Sequence, residues 1–143
     1  MERVGVAIGI DRYNSEEFHR LRFAESDCKQ LTADLKDVLY FNVVPLLGES
    51  ATRDRILTEL ENQAKHLKGE KDQLIFYFAG HGERVGDCFV LHSHKSIRGN
   101  ADESLSMDTI RTVFDTHAFK GNIMCVFDAC RNERHEEGQG HVT

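Results

Sequence analysis

The sequence predicts an α/β domain built on a mainly parallel sheet, and two patterns carry that prediction. Four short runs, residues 4–10, 42–47, 73–79 and 122–128, are nearly continuous in apolarity and rich in β-branched and aromatic residues, as strands covered on both faces are. Between them apolar residues recur at three- and four-residue spacing, so strand and helix alternate along the chain. A length of 143 residues suits one domain, residues 1–143, with one hydrophobic core.

Each helix has its own signal. Ala24, Cys28, Leu31, Leu35 and Leu39 form the apolar stripe of the first. Ile56, Leu57, Leu60, Ala64 and Leu67 form that of the second, with Thr52 as its N-cap and Gly69 just past its end. A third helix starts near Ser106 and buries Ile110, Val113 and Phe114. The segment 82–105 is longer than an ordinary connection, and residues 88–91 read as a short strand of a small hairpin inside it.

Composition narrows the function classes. Hydrophobic residues at 40% and charged residues at 29% describe a soluble globular chain. Eighteen basic against 24 acidic residues, with no basic cluster, argue against nucleic acid and anionic membranes as partners. Stretches such as 74–79 are far too short to span a bilayer. Met1 is followed by Glu2 and Arg3 with no secretory pattern, so Cys28, Cys88, Cys125 and Cys130 are expected as free thiols in a reducing, cytoplasmic setting. Neither a C-x-x-C pair nor a glycine-rich phosphate loop occurs, and no metal or cofactor is expected. His92 and His94 alternate, but with no third ligand in view they are expected as surface histidines.

Reactive side chains gather where two strands finish. In open α/β sheets, ligands bind beyond the carboxyl ends of the strands. The third run ends in Phe78-Ala79-Gly80-His81-Gly82 and the fourth in Phe127-Asp128-Ala129-Cys130-Arg131. On neighbouring strands, about 4.8 Å apart, the two tips bring an imidazole to a thiol. A free thiol is only a few per cent thiolate at neutral pH, and an imidazole beside it removes that limit. Gly80 and Gly82 are expected to permit unusual backbone angles and close approach of a substrate, and the amides of Gly82 and Cys130 to stabilise an oxyanion. Singly, a strand-end histidine is ordinarily structural and a strand cysteine ordinarily core; Cys125, inside its strand, is expected to be core.

The paired motifs resemble those of the caspase and metacaspase superfamily, in which the histidine lies about 50 residues before the cysteine; here the interval from His81 to Cys130 is 49. The stretches Val6-Ala7-Ile8-Gly9-Ile10-Asp11, Leu21 to Asp27 and Ala51-Thr52-Arg53 resemble the family's first strand and the starts of its first two helices. The resemblance implies a three-layer α-β-α fold with helices on both faces of the sheet. It also implies cysteine endopeptidase activity with His81 and Cys130 as the catalytic pair, and a peptide or protein substrate.

Departures from the caspase pattern refine this. Caspases carry Gln two residues before the nucleophile, whereas this chain has Asp128. In metacaspase-like relatives Asp stands there, with a second matching Asp27, and the two carboxylates line the specificity pocket; cleavage after Arg or Lys is therefore expected. Alternatively Asp27 only complements a helix dipole and Asp128 only caps a turn. Arg20 and Arg22, close to that turn, are expected on the surface. The loop Glu83-Arg84-Val85-Gly86-Asp87-Cys88 has too few carboxylates for the calcium site of metacaspases.

Caspase-like proteins continue beyond the nucleophile with a small subunit of two further strands, whereas here a polar tail, 132–143, follows; either a partner chain supplies the small subunit, or the chain is a fragment, or the protein works without it. An exposed sheet edge and a partner, either a small-subunit chain or a second copy, are expected. A non-catalytic interaction module is the alternative reading.

Overall fold

The computed structural model describes residues 1–117 and 119–131, with Cys130 and Arg131 described as backbone. The Cys130 side chain and the tail lie outside the described residues. In chain order the elements are β1 (Arg3–Gly9), α1 (Ala24–Asp37), β2 (Asn42–Leu47), α2 (Arg53–Ala64), β3 (Gln73–Val85), β4 (Cys88–His92), β5 (Ser104–Ser106), α3 (Met107–Thr116) and β6 (Asn122–Arg131).

The six strands form one mixed sheet. β1 pairs in parallel with β2 and β3, and β3 pairs in parallel with β6. β3 to β4 and β4 to β5 are antiparallel. The parallel strands and three helices match the sequence reading, and the hairpin strand β4 falls where it was expected. β3 itself is longer than its apolar run. Its first half lies between β1 and β6, and its second half turns out to pair with β4. The short strand β5 carries no sequence signal of its own.

Two apolar layers sandwich the sheet. On one face Val4, Val6, Ile8, Leu74, Phe76 and Phe78 pack against Ile56, Leu60 and Ala64 of α2 and Ile110 and Phe114 of α3. On the other, Ala7, Tyr77 and Ala79 meet Ala24 and Cys28 of α1. Side chains as fully buried as Ile56 and Leu60 each contribute about 1.5–3 kcal/mol.

The helix starts are capped in two ways. Thr52 Oγ1 accepts from the Arg55 amide at 3.3 Å, and Ser106 Oγ from Thr109 at 3.1 Å. At α1 the N-cap position, Phe23, has no such side chain. Instead Asp11, at the end of the first apolar run, reaches across: its Oδ1 accepts from Ala24 at 2.8 Å and Glu25 at 3.3 Å. Glu25 Oε2 accepts the Asp11 amide in return. This reciprocal cap fixes both ends of the loop 11–22. α2 ends at Ala64, short of the expected Gly69, because Leu67 closes a final turn onto Ala64 O.

Two expectations about burial are overturned. β2 and β6 are not covered on both faces: they lie at the sheet's edges, α1 packs over β1, β2 and β3 on one face, and α2 packs over β1 and β3 on the other. On β6, Met124 and Val126 are exposed, and so is Cys125, expected in the core. Among the described residues β6 pairs on one side only, so the expected open edge is present.

The contact of α1 with β1 is close enough to require glycine. A Cβ at Gly9 would stand 2.7 Å from Ala24 O and 2.7 Å from Cys28 Cβ. Gly9→Ala is therefore expected to destabilise the fold by about 1–3 kcal/mol in urea denaturation. An unchanged midpoint would show that α1 can lift away without penalty.

Candidate active site

The parallel register brings the two expected catalytic positions together. His81 and Cys130 are direct Cα partners on β3 and β6, one strand spacing apart, and Ala79 is the partner of Asp128. Gly82 sits in register with Arg131 on one side and Leu91 on the other.

His81 is fully buried. Tyr13, Phe18 and His19 of the loop after β1 pack on its ring at centroid distances of 5.2, 5.3 and 4.7 Å. Its Nε2 lies 2.9 Å from His19 O. A carbonyl only accepts, so Nε2 carries the proton and Nδ1 holds the lone pair. That Nδ1 is buried without a hydrogen-bond partner among the described residues. Burial pushes the His81 pKa down; the His19 carbonyl opposes this, while His19, His92 and Arg98 add to it electrostatically.

The glycines act differently from expectation. Neither Gly80 nor Gly82 has a positive φ, and both are extended strand residues. Their requirement is space. A Cβ at Gly80 would meet the Tyr13 hydroxyl at 2.5 Å, and one at Gly82 the Phe89 ring at 2.6 Å.

Asp27 and Asp128 line one open cavity of about 190 Å³, with Gly80 and Ala79 in its wall and Phe23 and Arg22 beside them. Both carboxylates are solvent-exposed, and their field reaches Tyr77. The Tyr77 phenol is pushed up to about 12, first by burial and then by Asp128 and Asp27. Asp27 lies in the first turn of α1, where a carboxylate also suits the helix dipole. Arg22 is exposed, as expected, yet lines the same cavity.

Behind His81 lies a second buried imidazole. His92, expected at the surface, is fully buried, with Nε2 2.8 Å from Glu83 Oε1. It is covered because β4 folds back along β3 and Phe18 packs over its ring at 4.7 Å. Glu83 Oε1 also accepts the Gly99 amide. Burial lowers the His92 pKa, against the pull of Glu83. His94 is half-buried, and its backbone joins Asn14 to Ala51. Among the described residues, no group of three or more His, Cys, Asp or Glu is placed to hold a metal ion. No helix among them is long and apolar enough to cross a membrane.

Sequence reasoning overlooked Tyr13, Phe18 and His19. The usable signal was two aromatics isolated in a polar loop at the carboxyl end of the first strand.

His81 and His92 both resist protonation in the fold more than in the unfolded chain, where imidazole titrates near 6.5. Their contribution to stability is thus present above that value and lost as pH falls below it. Urea denaturation at pH 7.5 and 5.5 is expected to show lower stability at 5.5, with a smaller difference in His81→Gln. Full retention of stability by the wild type at pH 5.5 would contradict the role of burial.

A family model described as Caspase domain (Peptidase C14) matches residues 2–143. No curated protein matches the sequence. Among solved structures, the crystal structure of protein GSU0716 from Geobacter sulfurreducens, a structural-genomics target, superposes with a TM-score of 0.77 at 16% identity. The match covers 94% of this chain and 52% of that one, so the chain spans about half the length of this neighbour. That likeness is one of fold. With the family model matching residues 2–143, the chain belongs to the caspase domain family.

Proposed function

We propose that the protein is a cysteine endopeptidase in which Cys130 is the nucleophile and His81 its base, with cleavage after Arg or Lys. The observation that carries this reading is the register of His81 with Cys130, combined with the proton held at Nε2 by His19 O. With Nε2 committed, Nδ1 is the nitrogen free to take the thiol proton. The thiolate attacks the carbonyl carbon of the scissile peptide. Once released from the β3–β6 ladder that they face, the amides of Gly82 and Cys130 stabilise the resulting oxyanion, each such donor being worth about 3 kcal/mol. The imidazolium then gives its proton to the leaving amine, and water, deprotonated by the same ring, hydrolyses the acyl-enzyme.

The cavity beside Gly80 supports the specificity. Two carboxylates in one concavity favour a guanidinium or ammonium and repel an acidic side chain. The exposed Met124 and Val126 on β6, whose outer edge is open among the described residues, support association with a further chain, a small subunit or a second copy.

Peptides with Arg, Lys or Asp before a reporter amine test the reading directly. Cys130→Ala is expected to lower turnover of the Arg and Lys peptides by about a thousandfold or more. Equal turnover by the variant and the wild type would sink the proposal. An inert scaffold would also show no faster labelling of Cys130 than of Cys28 by an electrophilic peptide.

Asp27→Asn and Asp128→Asn are each expected to lower kcat/KM for Arg peptides by about ten- to a hundredfold while narrowing the preference over Asp peptides. Unaltered selectivity in both variants would remove these carboxylates from the pocket.

A further inference from the structure

We infer that Tyr13 is a positioning residue for His81, its hydroxyl standing in place of a backbone rung that would otherwise draw His81 onto β4 and away from β6. This rests on the Cys–His reading above.

The ladder geometry identifies the missing rung. β1 follows β3 as far as Gly9 opposite Ala79, and β4 takes over only at Gly82 opposite Leu91. The next antiparallel pair would be His81 with His92. Val85 and Cys88 close a two-residue turn, and antiparallel pairs alternate between bonded and non-bonded, so the 81/92 pair belongs to the bonded set. At that place the His81 amide instead donates to the Tyr13 hydroxyl at 2.8 Å, and the hydroxyl donates to His92 O at 3.2 Å. One oxygen atom thus relays the bond that two strands would make directly. It holds β3 and β4 apart at the residue where β3 stays in register with Cys130.

Three further features agree. Tyr13 is buried, so its hydroxyl meets little competition from water. Its ring lies edge-on to the His81 imidazole, bracing the ring as well as the backbone. Gly80 leaves the space: a Cβ there would stand 2.5 Å from the hydroxyl oxygen. The glycine before the histidine therefore serves the tyrosine rather than a turn.

The test is the pH dependence of Cys130 alkylation by iodoacetamide, a reagent that needs no specificity pocket, in wild type, His81→Ala, Tyr13→Phe and Gly80→Ala, alongside kcat and KM on an Arg peptide. His81→Ala is expected to move the alkylation profile up towards that of an ordinary thiol. Tyr13→Phe and Gly80→Ala are expected to move it the same way, and Tyr13→Phe to lower kcat about ten- to a hundredfold at unchanged KM. Thermal melting supplies a check independent of activity: Gly80→Ala should destabilise the wild type more than it destabilises Tyr13→Phe, where the clashing oxygen is gone. A Tyr13→Phe profile that coincides with wild type, while His81→Ala differs, overturns the inference and leaves the dyad standing. Coincidence of wild type with His81→Ala overturns both.

Discussion

The ladder between β3 and β6 is the constraint on which the site's geometry depends. Its pairing begins at Gln73 opposite Asn122 and ends at Gly82 opposite Arg131. Because side chains alternate with a period of two, a one-residue slip would put Ile123, Phe127 and Ala129 on the wrong face. Those residues pack against the α2–α3 core, so the register is set by apolar burial well below the site. The positions of Asp128 beside Ala79 and Cys130 beside His81 are inherited from it. Packing of ordinary strand residues thus aligns the reactive ones at the carboxyl end.

Above Ala79 that economy ends, because β3 leaves β1 and has to be held by other means. The loop after β1 supplies them. Asp11 ties the loop to α1 by a reciprocal cap, and Leu21 returns to Asp11 O. Asn14 is fixed to His94 O. Between these anchors Tyr13, Phe18 and the carbonyl of His19 meet His81 from one side. A loop clamped at several backbone points loses little entropy when it encloses a side chain, since it is already ordered.

The parts of this arrangement legible in the sequence are the local ones. Apolar runs located the parallel strands, and three- and four-residue spacing located the helices, because both patterns record which face of an element is covered. The pairing of Gly80-His81-Gly82 with Asp128-Ala129-Cys130 was legible because the chemistry demands particular residue types. What escaped depends on contacts between distant segments. Cys125 looks like core in a run of apolar residues, and only the sheet order makes its strand an edge. His92 looks like surface beside another histidine, and only the fold-back of β4 buries it. Gly80 suggests unusual dihedrals, whereas its reason is an oxygen from a residue 67 positions earlier.

Electrostatics divides the site into two halves that place opposite demands on burial. The carboxylates of Asp27 and Asp128 are exposed around an open cavity, where two like charges coexist because water screens them. His81 is enclosed: burial disfavours a positive charge there, the His19 carbonyl favours it, and His19, His92 and Arg98 oppose it electrostatically. A neutral imidazole is the form that can accept a proton, so enclosure favours the ground state a base requires. The same enclosure opposes the imidazolium, and in the proposed mechanism the charge of the thiolate offsets part of that penalty. Removing water strengthens the attraction within such a pair while it penalises each charge, so a lone cation is disfavoured more than a paired one. On the proposed mechanism, burial therefore disfavours protonation of His81 by solvent more than protonation by a neighbouring thiol.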